Sequence, residues 1–523
     1  MSARSWHVPP DAAAALLLAA FTFAALAALA GSGVRLTQDD GFYYFKIAQN
    51  LAAGRGSTFD GLHPTNGYHP LWLLMLGVLY TLQPDPARAL VAGALLQALL
   101  SALGVAVVYG AARLTLGRAG ALAAALCWFG LTYSVALSGV EFALHGLLLA
   151  ACGYVSVRAR TRGSWSNAAA AALGALLALL ALARLDGALL AVLLAGAAWR
   201  QAGGRRVVPW LVLAPTVAAL GVYAAVNVSA FGLPFPISGA VKRSWSAYLV
   251  AHDPHGGWLA AKAAQLAWPF THGGGWPLRA LVAGGMGAGA LALLPLERPA
   301  LLGRWKVHVL RPWAPFVLFA GAQYAAYLVL YHGHYSFTRW YYAAQPLLAA
   351  LLLGTALDAL GGGAAAPRWR RALAFMACAL IALAALRGLL RLRAEQASVR
   401  VGPLHRAAAW ARGHLPPDAR VGTWNAGIIG YLSGCQVVNL DGLVNTRAYA
   451  LGEQYDLCAY WERTGIDYVV DVFQPGSAVM DGATLPVASY YAACADRLEL
   501  LWQDGAAGDP GWPKAYRFHR TAP

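Results

Sequence analysis

Three carboxylates stand at the edges of long apolar runs: Asp39 and Asp40, side by side ahead of GFYYFKIAQNLAAG, and Glu141 in LSGVEFALHG. Acids of this kind can share work, one taking a proton from an attacking hydroxyl while the other orients it or holds a divalent cation. Asp40 and Glu141 are the candidates for such a cation, Mg2+ or Mn2+. The apolar and aromatic residues after the pair repeat at helical spacing, so a helix beginning at Asp39 and Asp40 is expected, and its positive end favours ionised carboxylates. Simple capping of that helix is the competing role. His63, Asn66 and His69 in HPTNGYHP lie on a turn rich in proline and glycine and offer hydrogen bonds to a sugar or phosphate; their spacing matches no familiar metal motif. Lys242 and Arg243 in FPISGAVKRSW, with His332, His334 and Arg339 in YHGHYSFTRWYY, can hold an anionic group at membrane depth or snorkel to lipid headgroups. Arg184 and Asp186 in ALARLDGALL can pair with each other.

The elements that must position these groups are mostly transmembrane helices. Of 523 residues 59% are hydrophobic and 12% charged, and mean hydropathy is +0.52, too apolar for a soluble enzyme of this length. The net charge of +16 sits in short clusters with no basic stripe, which argues against a nucleic-acid partner. Apolar runs occupy roughly 11–31, 88–112, 119–137, 142–157, 167–183, 186–199, 209–230, 280–295, 313–331, 341–358 and 371–391. A cleaved signal peptide is the alternative for the first; in both cases the loop after it is exported. Arg113/Arg118, Arg158/Arg160/Arg162, Arg200/Arg205/Arg206, Arg304/Lys306/Arg311 and Arg368/Arg370/Arg371 fall in alternate loops, so all can be cytoplasmic together. That parity holds only if Leu71–Leu82, about a dozen residues, is re-entrant and does not cross. The chain then crosses eleven times, with the N-terminus cytoplasmic and 32–87 as the first outer loop. Residues 257–270 read as an interfacial helix with Trp258 and Trp268 at headgroup level.

Residues 1–392 thus form the membrane domain, and 393–523 a soluble α/β domain outside it. There 405–414 reads as helix and 419–424, 436–440 and 466–472 as strands. Of its cysteines, Cys435, Cys458 and Cys494, two can form one disulfide, or all can be small buried hydrophobes.

Taken together, outer-face acids, cations for a phosphate, aromatics such as Tyr43 and Tyr68 for sugar rings, and a membrane point to a transferase with a lipid-phosphate donor. The motifs resemble the GT-C superfamily of integral-membrane glycosyltransferases. DDGFYYFKIAQNLAAGRG is similar to its first-loop signature, and NGYHPLW to bacterial members near the arabinofuranosyl- and mannosyltransferases. SGVEFALHGLLL, ARLDGALLA and FGLPFPISGAVK resemble its second-loop acid, its R-x-D-G turn and the loop whose lysine lies near the donor phosphate. The resemblance spans about 11–350, and NAGIIGYLSGCQVVNLDGLVN is similar to the outer domain of bacterial relatives. It implies a GT-C-like polytopic helical fold, with Asp39 as base, Asp40 as its neighbour and Glu141 as second acid. It further implies Lys242, Arg243, Arg339 and His334 toward the donor phosphate, and Tyr43, His63, Asn66, Tyr68, His69 and Arg184 toward substrate. The implied partners are a polyprenyl-phosphate-linked sugar and an acceptor glycan, lipid or protein at the outer face of a bacterial inner membrane. Glu141, where the family more often has Asp, and His69, where it more often has Thr, are departures. A lipid-linked-sugar transporter and an inactive glycan-binding scaffold are the rival readings; the lack of internal repeats counts against the first.

Overall fold

The structure, a computed structural model, describes residues 9–31, 37–251, 258–260, 262, 311–332, 338–361, 367–398, 402–452, 457–471, 479–480, 483–484, 494–505 and 513–520. Its membrane part comprises α1 (Pro10–Ala30), α2 (Asp39–Ala52), α3 (Pro70–Leu82), α4 (Pro86–Arg113), α5 (Arg118–Ala136), α6 (Phe142–Thr161), α7 (Asn167–Ala183), α8 (Gly187–Gln201), α9 (Val207–Phe231), α10 (Ile237–Ala251), α11 (Arg311–Leu330), α12 (Ala344–Gly361) and α13 (Arg368–Ser398). Seven of these (α1, α4, α5, α6, α9, α11 and α13) are long and apolar enough to cross a membrane, and α7, α8 and α12 are shorter apolar helices. The expected crossing at 280–295, Arg304, Lys306, most of 257–270, including Trp268, and His334 lie outside the described residues. The expected non-crossing segment is α3. Its 13 residues reach about 20 Å at 1.5 Å per residue, short of about 30 Å of hydrocarbon.

Because lipid is as apolar as a leucine face, helices in a bilayer associate through close approach at small residues. Gly120 on α5 and Gly354 on α12 meet in this way: a Cβ on either would lie 2.5–2.6 Å from the other's carbonyl oxygen. The chain also sorts its charges by end. Asp11, in the first turn of α1, binds Arg113 and Arg118 of the α4–α5 connection at 3.1 Å each. Asp358 near the end of α12 accepts from the Gly117 amide at 3.0 Å, and Arg160 donates to the Arg311 carbonyl at 2.7 Å. The basic loops therefore gather at one end, and Asp39, Asp40, Glu141, Arg184 and Lys242 at the other.

Beyond α13 come α14 (Pro403–His414), β1 (Arg420–Thr423), α15 (Ala426–Leu432), β2 (Gln436–Asn439), α16 (Thr446–Gly452), α17 (Leu457–Thr464), β3 (Tyr468–Asp471), β4 (Leu498–Gln503) and β5 (Lys514–Phe518). The sheet order is β2-β1-β3-β5-β4. β1 runs parallel to β2 and β3, with Val421 opposite Val437 and Tyr468; β5 is antiparallel to β3 and β4. The three parallel strands are those expected from sequence; the antiparallel pair β4–β5 was not anticipated.

Cys458 and Cys494 form a disulfide, and Cys435 is free and buried. A disulfide implies an oxidising compartment, which yields a topology test. Reductant and maleimide that cannot cross membranes should label Cys458 and Cys494 on intact cells and leave Cys435 unlabelled. Labelling only after lysis would place this domain inside.

Candidate active site

The site begins with a turn. Ser138–Glu141 joins α5 to α6, and Gly139 takes φ +85°, a left-handed conformation that costs glycine little. Its backbone groups are satisfied from three directions: Gln97 donates to Val140 O at 2.7 Å, Trp72 donates to Gly139 O at 2.8 Å, and the Gln38 amide donates to Ser138 O at 3.0 Å. The last bond sets the start of α2 against this turn, so the acidic pair and Glu141 become neighbours although a hundred residues apart in sequence.

Glu141 is buried at 3% exposure and is held in a network. Its Oε1 accepts from Arg184 Nη1 at 2.5 Å and its Oε2 from the Tyr44 hydroxyl at 3.0 Å. Arg184 Nη2 reaches the Tyr327 hydroxyl at 2.8 Å and Asp186 Oδ2 at 3.3 Å, and Asp186 also accepts from Tyr327 and Gln323, both at 2.7 Å. Burial opposes the Glu141 charge, but His69 and Arg184 beside it hold its carboxyl below the ordinary range. Burial pushes the His69 imidazole down, with the Glu141 charge opposing it. Glu141 is therefore an ionised, cation-paired acid, suited to holding geometry.

Asp40 has a different setting. It lines a cavity of about 620 Å³ together with Lys242, Arg243, Arg184, Glu141 and Tyr341. Lys242 Nζ lies 3.4 Å from Asp40 Oδ2 and donates to the Tyr341 hydroxyl at 2.8 Å. Tyr341 in turn lies under the Arg184 guanidinium, 4.8 Å from ring centroid to carbon, which joins the two networks. On one side the wall is apolar, with Leu189, Phe235 and Leu330 all exposed on the molecule's surface. An acid facing a lysine across an open cavity, with an apolar exit, can take a proton from one group while the cation holds an anion.

Asp39 is placed elsewhere and does not line the cavity. Its Oδ1 accepts from the Ile428 amide at 2.8 Å and its Oδ2 from the Gly427 amide at 3.4 Å, both at the start of α15. Asp39, expected from sequence as the base, is thus turned toward the C-terminal domain, and Asp40, about 100° further round the helix, is the member of the pair that lines the cavity. His63 also lies away from the cavity, buried and bonded to Asp60 at 2.6 Å. Asn66 is a structural tie, accepting from Ile237 N at 3.1 Å and donating to Phe235 O at 3.0 Å, so it fixes the loop ahead of Lys242. Arg339 is exposed and outside the cavity lining. Tyr43, Tyr68 and His69 do line it.

Sequence reasoning missed Tyr44, Gln323, Tyr327 and Tyr341. Gln323 and Tyr327 on the apolar α11 and Tyr331 just past its end recur every fourth residue, a polar stripe that was a readable signal. Asp40 and Glu141, the acids considered for a divalent cation, each face a cationic side chain, and among the described residues no group of three or more acids, histidines or cysteines is placed to hold a metal ion.

Burial raises the Asp39 carboxyl from the ordinary 3.8 to about 7, with Asp40 and Asp471 adding to the rise and the amides of Ile428 and Gly427 opposing it. The docked state then holds this proton more tightly than the separated state. Docking is firmest below pH about 4 and weakens as pH rises through about 7. Proteolytic release of the C-terminal domain should quicken from pH 5 to 8, and Asp39→Asn should flatten that rise. Parallel curves would show that Asp39 does not titrate there.

Residues 388–518 match a sequence family described as Domain of unknown function (DUF8728). The sequence matches no curated protein. By structure the chain is similar to ArnT from Cupriavidus metallidurans, solved bound to undecaprenyl phosphate: TM-score 0.56 and 15% identity over 95% of this chain and 97% of that one. The apo form of ArnT gives a TM-score of 0.54 and 16% identity over the same shares of the two chains. The archaeal oligosaccharyltransferase AglB from Archaeoglobus fulgidus, in complex with an inhibitory peptide and a dolichol-phosphate, gives 0.51 and 14% identity over 95% of this chain and 74% of that one. The fold is therefore GT-C-like, a membrane helix bundle carrying a C-terminal domain with a small sheet.

Proposed function

We propose that the chain is a glycosyltransferase that moves a sugar, pentose or hexose, from a polyprenyl-phosphate donor to an acceptor glycan, lipid or protein at the outer face of the membrane. The observation that carries this reading is the Asp40–Lys242 pair, 3.4 Å apart at the rim of a cavity with an apolar exit. It is supported by a fold shared with proteins solved with undecaprenyl phosphate and with a dolichol-phosphate.

In this reading the polyprenyl chain leaves the cavity past Leu189, Phe235 and Leu330, and its phosphate lies against Lys242 and Arg243. The acceptor hydroxyl attacks the anomeric carbon. A new carbon–oxygen bond forms as the bond from that carbon to the phosphate oxygen breaks, and the electron pair stays on the phosphate. Lys242 and Arg243 stabilise this developing charge, and the hydroxyl proton passes to the Asp40 carboxylate. Glu141, locked by Arg184, keeps the floor of the cavity in shape. No step passes through a metal ion.

The test is purified protein in proteoliposomes with a panel of polyprenyl-phosphate-linked pentoses and hexoses. Release of polyprenyl phosphate, with sugar recovered on an acceptor or on water, is expected for at least one donor. Intact donor moving across the bilayer without bond cleavage would replace this reading with transport. Donor binding with neither outcome would leave a scaffold.

A further inference from the structure

We infer that the segment Trp424–Ile428 of the C-terminal domain is a positioning device that sets the gap between Asp40 and Lys242, by gripping the helix of each from the outside. The inference rests on the role proposed above for that pair and adds the part played by a domain the family description leaves without function.

The two groups are carried by separate helices, α2 and α10, which are almost two hundred residues apart in sequence. Five consecutive residues of the C-terminal domain touch both. On the α2 side the amides of Gly427 and Ile428 bind the Asp39 carboxylate, and the Ala426 amide donates to the Tyr43 hydroxyl at 3.2 Å. Asp39 precedes Asp40 directly, and Tyr43 is one turn along the same helix. The approach is close enough to exclude a side chain at residue 427, where a Cβ would lie 2.0 Å from the Asp39 carbonyl oxygen. On the α10 side the Trp424 ring stacks on Trp245, centroids 5.3 Å apart at 26°. Trp245 is one turn beyond Lys242, and both indoles are buried, at 7% and 9% exposure.

The segment is itself braced. Asp471, at the end of β3, accepts from the Trp424 amide at 2.5 Å, the Thr423 hydroxyl at 3.2 Å and the Asn425 side chain at 3.3 Å. A shift of the sheet therefore moves both grips together. Reactive groups displaced by about 1 Å lose on the order of 10²-fold in rate even when the change is remote from the chemistry. Trp424, Gly427 and Asp39 are thus positioning residues, with no contact to the reacting atoms.

The experiment reads geometry and rate separately. Nitroxides are placed at the exposed positions Ala53→Cys, directly after the last residue of α2, and Ser244→Cys on α10, against a background in which the free native cysteines are buried. Pulsed electron resonance then reports the distance between the two helices. Trp424→Ala, and independently Trp245→Ala from the other side, should broaden or shift that distribution, and Trp424→Phe should restore it. With an active donor, kcat should fall on the order of 10²-fold in both alanine variants and recover largely with Phe. Distances unchanged from wild type in both alanine variants would overturn the inference. A shifted distance in protein that transfers no sugar would sustain the positioning role and refute the transfer reading, so the two failures are distinct.

Discussion

Asp40→Asn is expected to abolish sugar transfer, by about 10³-fold or more, with donor binding retained. A positioned base contributes about 10²–10⁴ to such a step, and the amide that replaces it has nearly the same shape but takes no proton. The substitution keeps a side-chain oxygen facing Lys242, so the cavity should hold its form. It also removes an acid that lies 3.4 Å from that lysine and would compete with the donor phosphate for it. Donor affinity should therefore stay level or rise while turnover is lost, and that split separates a proton acceptor from a binding group. The measurements are polyprenyl-phosphate release and equilibrium binding of labelled donor, on wild type, Asp40→Asn and Asp39→Asn. The last should keep much of its turnover, because Asp39 lies outside the cavity lining and an asparagine keeps an oxygen for the amides of α15. A dead Asp39→Asn beside an active Asp40→Asn would reverse the assignment.

Arg184→Ala should be the most damaging substitution for stability. Arg184 is 2% exposed and serves two carboxylates at once, Glu141 at 2.5 Å and Asp186 at 3.3 Å. Removing one partner of a buried ion pair costs about 3–5 kcal/mol, because the partner's charge is left uncompensated. Here two acids lose their counter-ion together. The expected result is a lower unfolding midpoint in detergent and a loss of activity that follows the loss of folded protein. Arg184→Lys should recover only part of this, since an ammonium cannot present the planar fork that spans Glu141, Asp186 and Tyr327. The double variant Glu141→Gln with Arg184→Ala should be less unstable than the arginine change alone. Equal midpoints for Arg184→Ala and wild type would show that the network is not a structural support.

Much of the scaffold was legible from the chain. The apolar runs that fall within the described residues are helices close to their expected bounds because a bilayer admits few other solutions for a backbone. The brevity of Leu71–Leu82 and the alternation of basic loops were equally readable, since both come from counting. Asp40, Glu141, Arg184 and Lys242 reach one cavity, as their shared outer-face assignment suggested. What the sequence withheld is direction at the level of one residue. Asp39 and Asp40 are chemically identical neighbours, and only the amides of Gly427 and Ile428, far along the chain, decide which turns outward. Tyr341 was hidden for a related reason: it sits in the short turn 339–341, and its partners Lys242 and Arg184 lie far away along the chain.

The short helix α3 bears on the membrane as well as on the protein. It starts directly after His69 and exposes Leu74, Val78 and Leu82, at 57%, 61% and 79%. A helix too short to cross occupies area in one leaflet with nothing beneath it in the other. The acyl chains under it must bend or splay to fill that volume, and the bilayer thins locally. Lipids packed loosely in this way exchange more readily, so α3 would give the protein a soft spot in its own solvent beside the cavity, on the path of the donor proposed above.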